Sequence, residues 1–155
     1  MKRTIIVFLM IAILAMSLSA NAFAVESEAI DSQLITYADG STLEITVFQI
    51  PSITRSSGNI TDGRSYTHRD SNGSINWTAT LTASFTYNGT SATCTTASCS
   101  VSISDNNWYV VSRTASRSGN TATANLTMGR RALGVTVRTS NYTITLSCDK
   151  SGNLS

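Results

Sequence analysis

Proline is almost missing from this sequence: Pro51 is the only one in 155 residues, and His68 is the only histidine. A disordered Ser/Thr-rich stalk usually carries proline and lacks aromatics, so this composition argues against one. One histidine and three scattered cysteines, Cys94, Cys99 and Cys148, are too few and too widely spaced for a zinc-binding pattern. The loops DKSGN and DSNGS lack the distal glutamate of a calcium loop, and no cofactor motif is present. Charge is scarce too, at 13% Asp, Glu, Lys and Arg. Lys2 and Arg3 lie in the leader, and without them nine basic residues face nine acidic ones. Nothing in that balance suggests nucleic-acid binding.

Long apolar runs are equally rare. Residues 5–16 form an uncharged apolar stretch after Lys2 and Arg3, followed by Ala22-Phe23-Ala24. This is the pattern of a secretory signal peptide cut after Ala24, and the run is shorter than a membrane-spanning helix needs. The expected product is secreted and free, without a membrane span once the signal is removed.

Ser and Thr dominate what is left, with 44 of the 131 residues from Val25 onward. Threonine suits a half-solvated pleated face, and serine and asparagine suit turns. In SINWTATLTASFTYNG, residues 74–89, Ile75, Trp77, Ala79, Leu81, Ala83, Phe85 and Tyr87 alternate with polar residues. That period of two predicts a strand with one buried face. Asn88-Gly89 predicts a two-residue hairpin, setting Phe85 opposite Ala92 and Ala83 opposite Cys94. A turn over Thr95–Ser98 would then bring Cys99 opposite Cys94. Further strands are expected over 108–116, 121–128, 132–139 and 141–148. Asp39-Gly40 centres a hairpin in 34–48, and 49–64 reads as a polar loop.

Seven to nine short strands with turn chemistry between them predict an all-β, antiparallel two-sheet sandwich of immunoglobulin-like type. The expected organisation is a signal peptide over 1–24, an amino-terminal arm, hairpin and polar loop over 25–64, and the sandwich core over 65–155.

Export into an oxidising compartment predicts one disulfide and one leftover thiol. Cys94–Cys148 closes the long loop, and pairs involving Cys99 are the alternatives. No G-x-S-x-G elbow selects a nucleophile, and His68, in SYTHRD, reads as an exposed strand-end residue. Asp39, Asp62, Asp70 and Asp105 adjoin Gly, Ser or Asn, Asp149 opens DKSGN, and all five read as turn formers. One cluster stands out: five arginines and no acid lie between Asn106 and Cys148. By parity Arg113 and Arg117 share a face with Tyr109, and Arg130-Arg131 falls in a loop, with Arg138 beyond. Such a set predicts an anion-binding patch for a cell-wall polymer or acidic glycan.

The phrases SFTYNGTSATC, SGNTATA and TITLSCDKSGNLS resemble those of small secreted β-rich proteins from clostridia-type Gram-positive bacteria. The resemblance covers roughly the last 90 residues. It implies a secreted β-sandwich and carries no active site. The function expected from these readings is a non-enzymatic binding or interaction module at the cell envelope. The alternatives are a secreted hydrolase using His68 and a secreted membrane-active protein.

Overall fold

The computed structural model describes residues 28–49 and 58–155. The signal peptide and cleavage site expected over 1–24 lie outside the described residues. Eight strands follow one another: β1 (Glu28–Thr36), β2 (Thr42–Gln49), β3 (Asn59–Arg69), β4 (Ile75–Tyr87), β5 (Ala92–Ile103), β6 (Trp108–Ser118), β7 (Thr121–Ala132) and β8 (Val135–Ser147). β1 to β5 form one antiparallel sheet and β6 to β8 a second, each in sequential order. The two-sheet antiparallel sandwich is therefore as expected from the sequence. Its sheets are meanders joined by the single β5–β6 connection, without the Greek-key crossings of immunoglobulin domains.

Alternation builds the core. Trp77, Ala79, Leu81, Ala83 and Phe85 of β4 are all at most 1% exposed, and so are Ala122, Ala124, Leu126 and Met128 of β7. Ile144 and Leu146 of β8 close the same layer. Each of the larger side chains contributes roughly 1.5–3 kcal/mol on burial. The outer positions of the same strands are mostly Thr and Ser, paired across strands as in Thr61–Ser84 and Thr67–Thr78.

Polar side chains lace both seams of the sandwich. On one side Arg64 Nη1 of β3 donates to the Thr145 carbonyl at 2.7 Å, and the Tyr66 hydroxyl donates to the Thr143 carbonyl at 3.2 Å. These donors occupy edge carbonyls of β8 that would otherwise invite strand pairing. On the other side Arg117 Nη1 donates to the Cys94 and Thr95 carbonyls.

Four local expectations are corrected, each by a loop length or a bulge. The hairpin after β4 has a four-residue loop, with Tyr87 opposite Ala92 and Asn88 Oδ1 accepting from the Thr90 and Ser91 amides. No turn interrupts 95–98. β5 runs straight through it, with Phe85 opposite Cys94, Ser84 opposite Thr96 and Thr95 bulged out. The bulge, not a turn, sets both Cys94 and Cys99 on the inner face. Of the expected polar loop over 49–64, Gln49 ends β2, 50–57 lie outside the described residues, and 59–64 form the first half of β3. Finally, the two strands expected over 132–139 and 141–148 are one, β8, running unbroken from Val135 to Ser147, and Arg130-Arg131 lies inside β7. The β7–β8 turn is Leu133-Gly134, both at positive φ (50° and 80°). Leucine there costs about 1–2 kcal/mol relative to a relaxed backbone.

Candidate functional site

Three turns and two strands converge at the Asn76 end of β4. The β1–β2 turn spans Tyr37–Ser41, the β3–β4 turn Asp70–Ser74 and the β5–β6 turn Ser104–Asn107. Each is fixed by an aspartate accepting backbone amides. Asp39 takes the amide of Ser41, Asp70 those of Asn72 and Ser74, and Asp105 that of Asn107. These three, with Asp149, are the turn formers the sequence predicts. Asp62 is not one: it is fully buried on the inner face of β3.

Between the turns lies a pocket of about 190 Å³ lined by Asp39, Ser41, His68, Asp70, Ser71, Asn76, Asp105, Trp108, Arg130 and Arg138. That is about the volume of six liquid waters, room for one sugar ring or a group of that size. A larger cavity of about 460 Å³ sits at the Tyr87 end of β4. Its lining residues Val47 and Ile60 flank 50–57, which lie outside the described residues.

His68 forms the pocket's inner wall, and its placement corrects the expectation of an exposed residue: it is 4% exposed. Opposite it in β4, a bulge puts His68 against Trp77 and Arg69 against Ile75, so Asn76 is the extra residue. That bulge turns Asn76 and Trp77 inward together, and both are buried. Asn76 Nδ2 donates to His68 Nδ1 at 2.9 Å. With Nδ1 accepting, a neutral ring carries its proton on Nε2, the nitrogen left for the pocket. Trp77 stacks on one side of the ring at 5.5 Å, and Trp108 tilts against it at 4.9 Å. Burial pulls the His68 pKa below the ordinary histidine value, with Arg138 and Arg130 adding to that and Asp39 and Asp70 opposing it. The imidazole is thus neutral at pH 7, and its free nitrogen is a donor.

The predicted arginine patch is divided. In β6, Tyr109 pairs with Gly129, Val110 with Met128, Ser112 with Thr127 and Arg113 with Leu126, so Val111 is bulged. The bulge reverses the parity. Tyr109 lies on the outer face, whereas Arg113 and Arg117 lie on the inner face toward β5. Arg130 and Arg138 pair with each other at the pocket. Arg130 approaches the Trp108 ring at 6.0 Å, and Arg138 meets Asp39 at 3.5 Å. The carboxyl of Asp39 is held below the usual range, chiefly by the Ser41 hydroxyl and amide. Arg131 stacks over Tyr109 on the outer face at 4.3 Å. With His68 neutral, two guanidiniums face three carboxylates around the pocket, so its lining is mixed in charge and not cationic.

The cysteines also depart from expectation, because all three are free thiols. Cys94 Sγ points to the Thr96 carbonyl and Cys148 Sγ to that of Asp149. Cys94 and Cys99 lie five residues apart along one strand, roughly 13–17 Å, far beyond the reach of a disulfide. Cys94 and Cys148 lie closer, their amides donating to the adjacent carbonyls of Gly119 and Asn120. Burial pushes all three thiols up. In the folded protein Cys99, the half-buried one, should therefore react first and slowly with a maleimide. Cys94 and Cys148 should react only on unfolding. Peptide mapping after timed alkylation checks this order, and a recovered Cys94–Cys148 bridged peptide would contradict it.

Among the described residues no group of three or more His, Cys, Asp and Glu side chains is arranged to hold a metal ion. Among the same residues no helix is long and apolar enough to cross a membrane. Comparison with known protein families, with curated proteins and with solved structures returns no match to this chain.

Proposed function

We propose that the chain is a non-enzymatic, secreted binding module of the cell envelope that takes one ring of a glycan in the end pocket. One observation carries this reading: the aromatic wall of Trp108 and His68 meets a rim of carboxylates, guanidiniums and hydroxyls. An apolar ring face edged by hydroxyls needs such a site, a flat aromatic surface beside planar groups that both donate and accept. His68 Nε2–H and Arg130 supply donors, and Asp70 and Asp105 supply acceptors. Because three carboxylates face two guanidiniums, a neutral or amino-bearing sugar fits better than a strongly anionic polymer. The hydrolase alternative is weakened by the same geometry, since the free nitrogen of His68 carries the proton that a general base must lack.

Pull-down on purified cell walls, followed by a glycan array, tests the reading. Trp108→Ala should reduce binding about tenfold or more, as expected for removing an aromatic anchor. Arg130→Gln, at an exposed position, should weaken it with the fold intact. Wild-type protein that stays in the supernatant with every wall preparation and binds no arrayed glycan would end the proposal. So would Arg130→Gln and Trp108→Ala variants that are folded and bind as wild type does.

A further inference from the structure

The β7–β8 ribbon outruns the rest of its sheet. β6 begins at Trp108, opposite Arg130, so the ribbon from Arg131 to Val137 has no third strand beside it. Every residue from Arg130 to Thr139 is exposed. The base is braced: Tyr109 lies across Gly129, where a Cβ would come within 2.4 Å of its Cζ. Its hydroxyl bonds Thr136 Oγ1 at 2.7 Å, and Arg131 covers its ring. The tip is therefore held out on a stiff support.

Three features of that tip run against what a solvated hairpin favours. Leu133 occupies a positive-φ position where Asn, Asp or Gly is at home, and it is the only such non-glycine among the described residues. It is also wholly exposed, at 103%, with Val135 at 65% and Val137 at 58%. Val137 is itself a bulged residue, since Arg130 pairs with Arg138 and Arg131 with Thr136. A strained backbone that presents a leucine to solvent is a reason to look for a function. Around this apolar end stand Arg130, Arg131 and Arg138, with no acid in the strand pair. Asp39 meets Arg138 at the ribbon's base, on the pocket side.

The geometry points to the Leu133 tip as a wedge that enters the interfacial layer of an anionic bilayer, its arginines lying among the lipid phosphates. Apolar side chains at the end of a rigid support and a collar of guanidiniums are the two contributions that peripheral membrane binding sums. A second copy of the chain is a poorer occupant. A two-fold contact of tips would set Arg130, Arg131 and Arg138 against their own images. This surface is separate from the sugar pocket in its key residues, Leu133, Val135 and Arg131.

Co-sedimentation with vesicles of phosphatidylglycerol and phosphatidylcholine, and with vesicles of phosphatidylcholine alone, tests the proposal. The protein is expressed from residue 1 and used as the host releases it. Wild type and variants share whatever leader remains, so their difference reads the tip. Wild type should pellet with the anionic vesicles and far less with the neutral ones. Leu133→Asn places a residue suited to the turn, so folding is preserved while anionic-vesicle binding falls about tenfold. Arg131→Gln should lower it about fivefold, and added salt should mimic that change. Wild type left in the supernatant of both vesicle types would overturn the proposal. A Leu133→Asn variant that binds as wild type does would overturn it too. Sedimentation velocity without vesicles provides the last arm: a wild-type dimer that Leu133→Asn dissolves would assign the tip to self-association instead.

Discussion

Trp77→Ala should cost about 3–5 kcal/mol of folding stability, the range for emptying an aromatic site in a packed core. Trp77 is fully buried in β4, yet its ring contacts reach both sheets. His68 of β3 stacks on it, Trp108 of β6 tilts against it at 6.3 Å, and Tyr142 of β8 meets it edge-on at 4.9 Å. Removing it opens a void where the two meanders are held together and leaves Tyr37, at 6.2 Å, as the ring stacked on His68. A domain of this size has a total stability of about 5–15 kcal/mol, so the variant is expected to be marginal. Trp77→Phe separates packing from polarity. The indole Nε1 is buried with no hydrogen-bond partner, so phenylalanine keeps much of the ring contact and removes an unsatisfied donor. Its expected loss is under about 1.5 kcal/mol. Denaturant midpoints of the three proteins give the comparison. An alanine variant within 1 kcal/mol of wild type would show that the cluster does not join the sheets (a threshold set by the usual scatter of core substitutions).

The second large effect is a pH dependence centred on His68. Its folded pKa is lowered, above all by burial, so the folded state favours the neutral ring more strongly than the unfolded chain does. The stability tied to the neutral ring is fully present above the unfolded value of about 6.5. It is lost as pH falls from there toward the lowered folded value, because the unfolded chain takes up the proton first. The slope approaches at most about 1.4 kcal/mol per pH unit for one proton. The charged groups that set the shift are Arg138 and Arg130, which add to it, and Asp39 and Asp70, which oppose it. Asp39 and Asp149 have lowered carboxyl pKa values, so their own contribution disappears only below about 3.8. Between about 6.5 and 4 the part of the slope due to His68 is the part that its replacement removes. Thermal melts of wild type across that interval should slope downward with acid, and His68→Gln should flatten them. An unchanged slope in the glutamine variant would remove His68 as the cause. If glycans bind as proposed, acid should also weaken retention, because a protonated ring disrupts the Asn76 hydrogen bond at Nδ1.

Much of the fold was legible because alternation in β4 and β7 is a local property, and the two-residue period needs no knowledge of partners. The Asp39, Asp70 and Asp105 turns were legible for the same reason, since an aspartate capping amides two to four residues on acts within the turn. β3 was not. Its inner positions are Ile60, Asp62, Arg64, Tyr66 and His68, which lack an apolar rhythm because their polar ends are met by groups distant in sequence. Arg64 and Tyr66 reach carbonyls of β8, and His68 reaches Asn76. The candidate pocket was missed with it. Trp108 was visible only as a strand residue, and His68 as a lone polar one.

By itself the sequence determined the class of fold, the places where most strands begin and the small number of groups available for chemistry. These follow from composition, period and turn residues, all of them local. Only the tertiary structure decided which face each side chain occupies and which ones meet. Bulges at Thr95, Val111 and Val137 shift parity by one residue, and a single shift moves every later side chain to the other face. Such a bulge is settled by the pairing of whole strands and by the packing of one sheet on the other. That is why the five arginines, consecutive in the reading of the chain, are divided among an end pocket, an outer face and a seam.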